Sequence, residues 1–417
     1  MSRVAQIQMP STTTELTPVV GRRYSILRVI WIAILSGAVL LVVGGYALSR
    51  PLHDFVEYWT TAHRLLAHQN PYDIGETFQM QKPLGWEEPV PLIPLNPPWM
   101  LTLLAPLGLF KSYELAWLVW VASLGLALAL SSRLLMDLYF GDLRLHDVSD
   151  RGFYRCLFAF TFYPVLLSLK FAQIDALLLL GIAGFLYFES KDNPILSGVL
   201  LSLTAFKPQL TYLVWFAVFL RTLQTRRWKT LASAGAAIAL LMAVAWSFDP
   251  RVIRQYLELA SGPYGQIYPS GIVGGVRRMF GGLNTFWLQF LPLAGGIAWF
   301  ASYWRRYRKE WDWIEQMPAL VTASLLTSAW GWLFDQTLLA VPIISLAAHY
   351  ARKEERLPRN LVVIYTILNI ALLLGAMVSS PWAYLPAPVL MAFLLFRSPH
   401  HEGTLLDYVA STRRGRA

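Results

Sequence analysis

The chain has 417 residues, of which 56% are hydrophobic and 14% charged, with a formal net charge of +10. A soluble domain carries about 25% charged residues, so a chain this long and this apolar lacks the polar surface to cover itself, and a wholly soluble fold is excluded. Its single cysteine, Cys156, excludes an intrachain disulfide and any metal site built from several cysteines.

Residues 1–25 form a polar tail that ends near Arg22 and Arg23. The apolar run up to residue 48 exceeds the roughly 7–15 residues of a signal-peptide core and reads as a retained first membrane helix at 26–48. A spanning helix needs roughly 20 apolar residues. Further spans are expected at 114–136, 153–169, 174–188, 230–246, 283–303, 318–334, 337–350, 360–378 and 382–396. Two runs, 195–206 and 210–220, are each too short to span comfortably. They read as a pair of short helices meeting at Lys207-Pro208, where proline interrupts the backbone pattern. Residues 397–417 form a second polar tail. The expected architecture is an all-α integral membrane protein, a bundle of about twelve transmembrane helices occupying residues 26–396.

Lys and Arg favour the cytoplasmic side of a membrane. With the N-terminus inside, the cytoplasmic segments hold most of the 35 basic residues, including Arg226-Arg227, Arg305-Arg306, Arg352-Lys353 and Arg413-Arg414. Both tails are then cytoplasmic. The same bias accounts for the net charge without a nucleic-acid partner. Two large loops face the other side, 49–113 and 247–282.

The first external loop is the more informative. From Asp54 to Leu66, apolar residues at Phe55, Tyr58, Trp59, Ala62, Leu65 and Leu66 follow the helical period. Asp54, Glu57, Thr61, Arg64 and His68 fall on the other face. Such a helix is expected to lie in the membrane interface, polar side to water, and to end at Asn70-Pro71-Tyr72-Asp73. A second interfacial or re-entrant helix is expected at 98–110. Asp54 reads either as a general base for a hydroxyl or as a helix N-cap, and the two roles are compatible. Glu57 reads as a solvated carboxylate, as a partner of Arg64, or as a site residue.

The order of these features resembles glycosyltransferase family 87, a branch of the GT-C superfamily. The resemblance rests on an Asp after the first helix, a Tyr–Ala–Leu-Leu helix ending in Asn-Pro-Tyr-Asp, and a Pro97-Pro98 helix ending in Ala105-Pro106-Leu107. Tyr163-Pro164 follows, then Ala172-Gln173-Ile174-Asp175, where the family usually has Gly-Gln and a polar residue. The last piece is a helix begun by Gly198 and ending in Lys207-Pro208. What the resemblance implies is sugar transfer, often of mannose, from a polyprenyl phosphate to a lipid or glycan hydroxyl on the extracytoplasmic face. Asp54 would be the base, attack would invert the anomeric carbon, and no cofactor would be needed. The plasma membrane is the expected location, with membrane lipids around the bundle.

A lipid-phosphate leaving group needs cationic stabilisation. Lys207 and Lys170 stand at external helix ends, and Arg277 and Arg278 lie in a glycine-rich stretch of the second loop, so these four are the candidates to meet the donor phosphate. Their alternative reading is interfacial snorkelling or a solvated lid. Gln173, Asp175 and Asp335, with Glu57, are candidates for sugar or acceptor contact; capping and turn formation are the alternatives. A metal site is not expected: His63 and His68, five apart, would not share a helical face, and the alternative is a divalent ion held by His53 with Asp54 and Glu57. The main rival function is a multi-pass transporter or lipid flippase, which also uses broken helices.

Overall fold

A computed structural model describes residues 54–141, 161–266, 272–354, 359–378 and 381–396. The expected first span at 26–48, residues 153–160 of the third, both tails, His53 and Cys156 lie outside the described residues. Every regular element among the described residues is helical.

The first loop contributes α1 (Phe55–Leu66), α2 (Ile74–Gln81) and α3 (Pro98–Leu104), which runs into a 3-10 turn at Ala105–Leu109. Then come α4 (Tyr113–Phe140), α5 (Tyr163–Lys170), α6 (Asp175–Ser190) and α7 (Pro194–Leu201), which tightens into a 3-10 segment, Ser202–Phe206. They are followed by α8 (Pro208–Thr225) and α9 (Lys229–Phe248). The second loop carries α10 (Val252–Ser261) and α11 (Ile272–Met279), neither of which the apolar pattern signalled. A 3-10 stretch, Gly282–Phe290, leads into α12 (Leu291–Tyr307), and α13 is Trp313–Thr327. Another 3-10 segment, Leu333–Leu339, continues as α14 (Ala340–Glu354). The last elements are α15 (Arg359–Met377), a short turn at Pro381–Tyr384 and α16 (Pro386–Phe396).

Among the described residues, three helical stretches, α4, α9 and 333–352, are long and apolar enough to cross a membrane. Large apolar side chains are exposed along the outside, among them Leu118 and Leu126 of α4 and Ile367, Ile370 and Leu374 of α15. An apolar exterior of this extent suits lipid and not water.

Several expected boundaries shift, each for a local reason. The span at 283–303 divides because Pro292 has no N–H to continue a helix from the preceding stretch, so α12 starts at Leu291 with proline in its first turn. The span at 318–334 begins earlier and stops sooner. Asp312 caps it by accepting from the N–H groups of Ile314 and Glu315. Pro318 then sits inside the helix, and the carbonyl of Ile314 that it cannot serve accepts instead from the Tyr139 hydroxyl at 2.9 Å.

The interruption at Lys207-Pro208 is resolved in the same way. Pro208 has no N–H, and the chain turns out of helical geometry at Lys207, so the carbonyls at the end of the 3-10 segment lose their helical donors. Thr204 O accepts from Thr211 Oγ1 at 3.1 Å, Ala205 O from Trp99 Nε1 at 3.0 Å and Phe206 O from Asn96 Nδ2 at 3.1 Å. A membrane interior has no water to satisfy freed backbone groups, so side chains must do it. The broken hairpin also packs tightly on its neighbour. A β-carbon on Gly198 would stand 2.2 Å from Thr230 O, so α7 and α9 approach to a distance only glycine permits.

The loop helix α1 differs from the expected interfacial one. Glu57, Thr61 and Arg64, on its polar face, are buried, and α1 packs against the Ala105–Leu109 turn, where a β-carbon on Gly108 would lie 2.7 Å from Ala62 O. The middle of the polar face is covered by protein, while Asp54 at one end stays partly open and His68 at the other is exposed. Gln81 donates to Leu92 O and accepts from Leu92 N, which holds the 90–93 segment near Thr60. Tyr264 of the second loop grips the same segment, donating to Pro91 O and accepting from Ile93 N.

Trp99→Phe keeps the ring but leaves the Ala205 carbonyl without its donor. The expected cost is about 1–3 kcal/mol of stability, read as a lower midpoint temperature in detergent micelles, while the exposed control Trp228→Phe leaves the midpoint unchanged.

Candidate active site

The site begins with a turn. Helix α5 ends with Ala172 at φ +57°, and the Gln173 N–H bonds to Ser168 O while the Ala172 N–H bonds to Leu169 O. That pair of bonds with a left-handed residue between them is a Schellman ending. It delivers Gln173 and then Asp175, the first residue of α6, to one place. Trp120 Nε1 donates to Ala172 O at 2.9 Å and pins the turn to α4.

Six polar side chains from four parts of the chain meet there, those of Asp54, Tyr58, Gln173, Asp175, Lys207 and Asp335. Gln173 Nε2 donates to Asp54 Oδ2 at 2.7 Å. Gln173 Oε1 accepts from Tyr58 Oη at 2.9 Å and from Lys207 Nζ at 3.2 Å. Lys207 Nζ also donates to Asp175 Oδ1 at 3.0 Å and to Asp335 Oδ1 at 2.7 Å. An ammonium has three hydrogens, and these three acceptors match that number. Asp335 Oδ2 accepts from the Trp332 N–H at 2.6 Å, and Asp175 Oδ2 lies 3.4 Å from Ser168 Oγ. Lys207, Gln173, Asp175 and Asp335 are all buried, and the Phe334 ring lies 4.8 Å from the ammonium. A buried cation survives only with such partners.

Asp54 stands at the N-terminal end of α1 but its side chain makes no capping bond. The carboxylate points at Gln173 instead and is only partly buried. Burial raises its pKa to about 6, against the lowering pull of the Gln173 hydrogen bond and the Lys207 charge. Glu57, one turn on, is pushed well above the usual carboxylate range, first by burial and then by the charge of Asp54. The expected Glu57–Arg64 pairing does not form. Arg64 donates through Nε to Asn70 O at 2.7 Å and lies 3.8 Å from Glu76, because the turn after α1 carries the Asn70 carbonyl back over the helix end.

The other expected cations sit elsewhere. Lys170 is exposed at the end of α5, its ammonium 5.7 Å from the Phe171 ring centre. Arg277 is fully buried, donates to Gln289 Oε1 and to Gln266 O, and lies over Phe286. Arg278 beside it is exposed. Helix α11 rests on the Pro381–Tyr384 turn, with Gly275 against Trp382. That turn accepts at Tyr384 O from Gln336, the neighbour of Asp335.

Four contributors carry no distinct signal in the sequence. Tyr58 was read only as part of an apolar face, although a tyrosine in place of phenylalanine carries a hydroxyl that must find a partner when buried. Asn96 lies in the proline-rich stretch just before the helix expected at 98–110, Trp99 is one more apolar residue of that helix, and Tyr264 lies in a loop.

The pieces of motif now have contacts. Tyr72 of the Asn-Pro-Tyr-Asp turn donates to Asn96 O, Asn96 donates to Phe206 O, and Lys207 reaches Gln173 and Asp175. The model of one known family, glycosyltransferase family 87, matches residues 95–334. The chain belongs to glycosyltransferase family 87. No curated protein and no solved structure matches it. Family 87 membership, with the apolar helices, makes it a membrane glycosyltransferase and decides against the transporter reading. The matched segment contains Lys170, Gln173, Asp175, Lys207, Arg277 and Arg278. Asp54 and Glu57 precede it, and Asp335 is the first residue after it.

The left-handed backbone at residue 172 gives a physical reason for the glycine usual there in family 87. An L-residue in that conformation costs about 1–2 kcal/mol, whereas the buried alanine methyl returns about 0.8 kcal/mol. Ala172→Gly is therefore expected to stay within about 1 kcal/mol of the unsubstituted protein. Ala172→Val, β-branched in the same conformation, should lower the thermal midpoint and the rate of sugar transfer together.

Proposed function

We propose that this family 87 enzyme moves a sugar, mannose in the first instance, from a polyprenyl-phosphate carrier to a hydroxyl of a lipid or glycan, with inversion and with Asp54 as general base. The observation that carries the proposal is the Asp54 carboxylate itself: partly buried, free of any capping duty and held from one side by Gln173. A base that ionises near neutrality suits removal of a hydroxyl proton as the oxygen becomes nucleophilic. The acceptor oxygen gives its proton to Asp54 and forms a bond to the anomeric carbon from the face opposite the phosphate. The bond from that carbon to the phosphate oxygen breaks with its electron pair, and polyprenyl phosphate leaves with one more negative charge.

That extra charge calls for a cation. Lys207 is committed to Gln173 and two carboxylates, which leaves the exposed Lys170 and Arg278 to meet the phosphate. Arg277 braces the second loop through Gln289 and Gln266. Glu57, one turn from Asp54 and pushed above the usual carboxylate range by burial, contacts a sugar or acceptor hydroxyl. The bundle has about twelve spans in the plasma membrane, with both termini in the cytoplasm and the loops 49–113 and 247–282 on the outer side, where the lipid-linked donor is presented.

The test uses the purified protein in lipid nanodiscs with radiolabelled polyprenyl-phosphate mannose and a host lipid extract as acceptor. Transfer is expected from the unsubstituted enzyme and not from Asp54→Asn, with donor binding kept; equal transfer by both would place the base elsewhere.

The pH dependence follows from the ionisation of Asp54. As the carboxylate is active only when deprotonated, kcat/KM should climb with pH through an acid limb near 6. The stability effect has the opposite sense. A carboxyl whose folded pKa is raised loses its stabilising contribution as pH rises through that value. Asp54→Asn should therefore gain in thermal midpoint relative to the unsubstituted protein between pH 4 and pH 8, which also shows that the inactive variant is folded.

A further inference from the structure

Lys207 is placed where a phosphate-binding lysine would be expected, at a helix break near the base, yet its geometry describes a different task. Its three acceptors are Gln173 Oε1, Asp175 Oδ1 and Asp335 Oδ1, at 3.2, 3.0 and 2.7 Å. A lysine poised for an incoming anion keeps a hydrogen turned toward open space. Here the ammonium is buried under Phe334 and faces inward.

The consequence falls on Gln173. A carboxamide has one accepting and one donating end, and exchanging them reverses every bond it makes. Lys207 can only donate, so the end of the amide that faces it must be oxygen. The Tyr58 hydroxyl lies on the same oxygen at 2.9 Å. The amide nitrogen is thereby turned to Asp54 Oδ2 at 2.7 Å. Without the cation, the tyrosine alone does not fix the amide, since a hydroxyl both donates and accepts. We propose that Lys207, clamped between Asp175 and Asp335, is a positioning residue that fixes the Gln173 amide so that its nitrogen faces the base.

This inference rests on the assignment of Asp54 as the base. It gives Asp335, in the segment after the family match, a part in the reaction through the Lys207 clamp. The groups that set the ionisation of Asp54 are then Glu57 and Tyr58 on its own helix, Gln173 and Asp175 at the α5–α6 turn, Lys207 at the break, Asp335, and Tyr264 from the second loop.

Lys207→Met alone would strand two buried carboxylates and is a poor probe. The charge-balanced pair Lys207→Met/Asp335→Asn removes one charge of each sign, and Gln173→Met leaves the ion cluster whole. Both are compared with their combination in the nanodisc assay, over a range of pH and donor concentration. The expected result is a fall in kcat of roughly ten- to a hundredfold for each, no further fall in the combination, an acid limb moved to higher pH, and a donor KM unchanged within about twofold. Losses that multiply in the combination would overturn the proposal, because the lysine would not be acting through Gln173. A raised donor KM with the acid limb in place would also overturn it, by making Lys207 a phosphate ligand. The titration of Asp54 is read separately from its infrared carboxyl band, identified by its disappearance in Asp54→Asn. If the unsubstituted protein transfers no sugar while that titration moves upward in the Lys207→Met/Asp335→Asn variant but moves no further when the pair is added to Gln173→Met, the assigned reaction fails and the positioning stands; a further move in that background would show the lysine acting by its charge alone and sink the positioning. A titration that does not move would sink the positioning whatever the activity.

Discussion

A single ammonium, buried among apolar helices, sets the terms for the rest of this structure. A charge in that environment must be neutralised and hydrogen-bonded on every side or it will not stay. Lys207 draws Asp175 from the start of α6, Asp335 from the 3-10 segment ahead of α14, and Gln173 from the turn between α5 and α6. Three separate stretches of chain therefore have to arrive at one point. The broken hairpin that carries the lysine needs its own support, because proline removes a donor just where the ion cluster forms. Trp99 and Asn96 supply it from the first loop. The loop helix α1 rests on the same framework, through Gln173 to Asp54 and Tyr58.

This arrangement explains why short sequence features far apart along the chain travel together. Asn70 accepts from Tyr72 N within its turn, and the Tyr72 hydroxyl reaches Asn96 O. The Asn96 side chain then closes the end of the 3-10 segment before Lys207. Each feature alone is a turn or a helix end of an ordinary kind. Together they form a continuous series of hydrogen bonds from the first loop to the cation and back to the Asp54 carboxylate.

Much of the helical layout was legible in the sequence, because long apolar runs admit few alternatives. Helices α4, α6, α8, α9 and α15 lie where the runs placed them, to within a few residues. The misplaced boundaries fall where a proline or a cap overrides the apolar run, as at Pro292 and Asp312. The loop helices α10 and α11 escaped because they are short and carry charges through an apolar pattern. Gln173, Asp175, Lys207 and Asp335 stood out as polar residues at the edges of apolar runs, and the structure brings them together with Asp54. Their pairing was not legible. Nothing in the spacing tells that Lys207 and Asp335, 128 residues apart, share a hydrogen bond, or that a tyrosine on an apolar face turns its hydroxyl to the same amide. The inward polar face of α1 was equally hidden, because it depends on Gln81 and Tyr264 holding a distant segment over it.

The separation of the lysine's two carboxylates also bears on how the chain enters the bilayer during synthesis. Asp175 precedes Lys207 by 32 residues, whereas Asp335 follows it by 128. As the ribosome feeds the broken hairpin to the insertion machinery, the aspartate that neutralises the lysine has already emerged. Asp175 can then pair with the lysine as soon as the hairpin emerges, at a lower cost than a lone buried ammonium would incur. Asp335 joins only after six more helices have been made, α8 to α13. Until then the Lys207 cluster lacks the second of its two carboxylates, and the setting of Asp54 is complete only when the later helices dock.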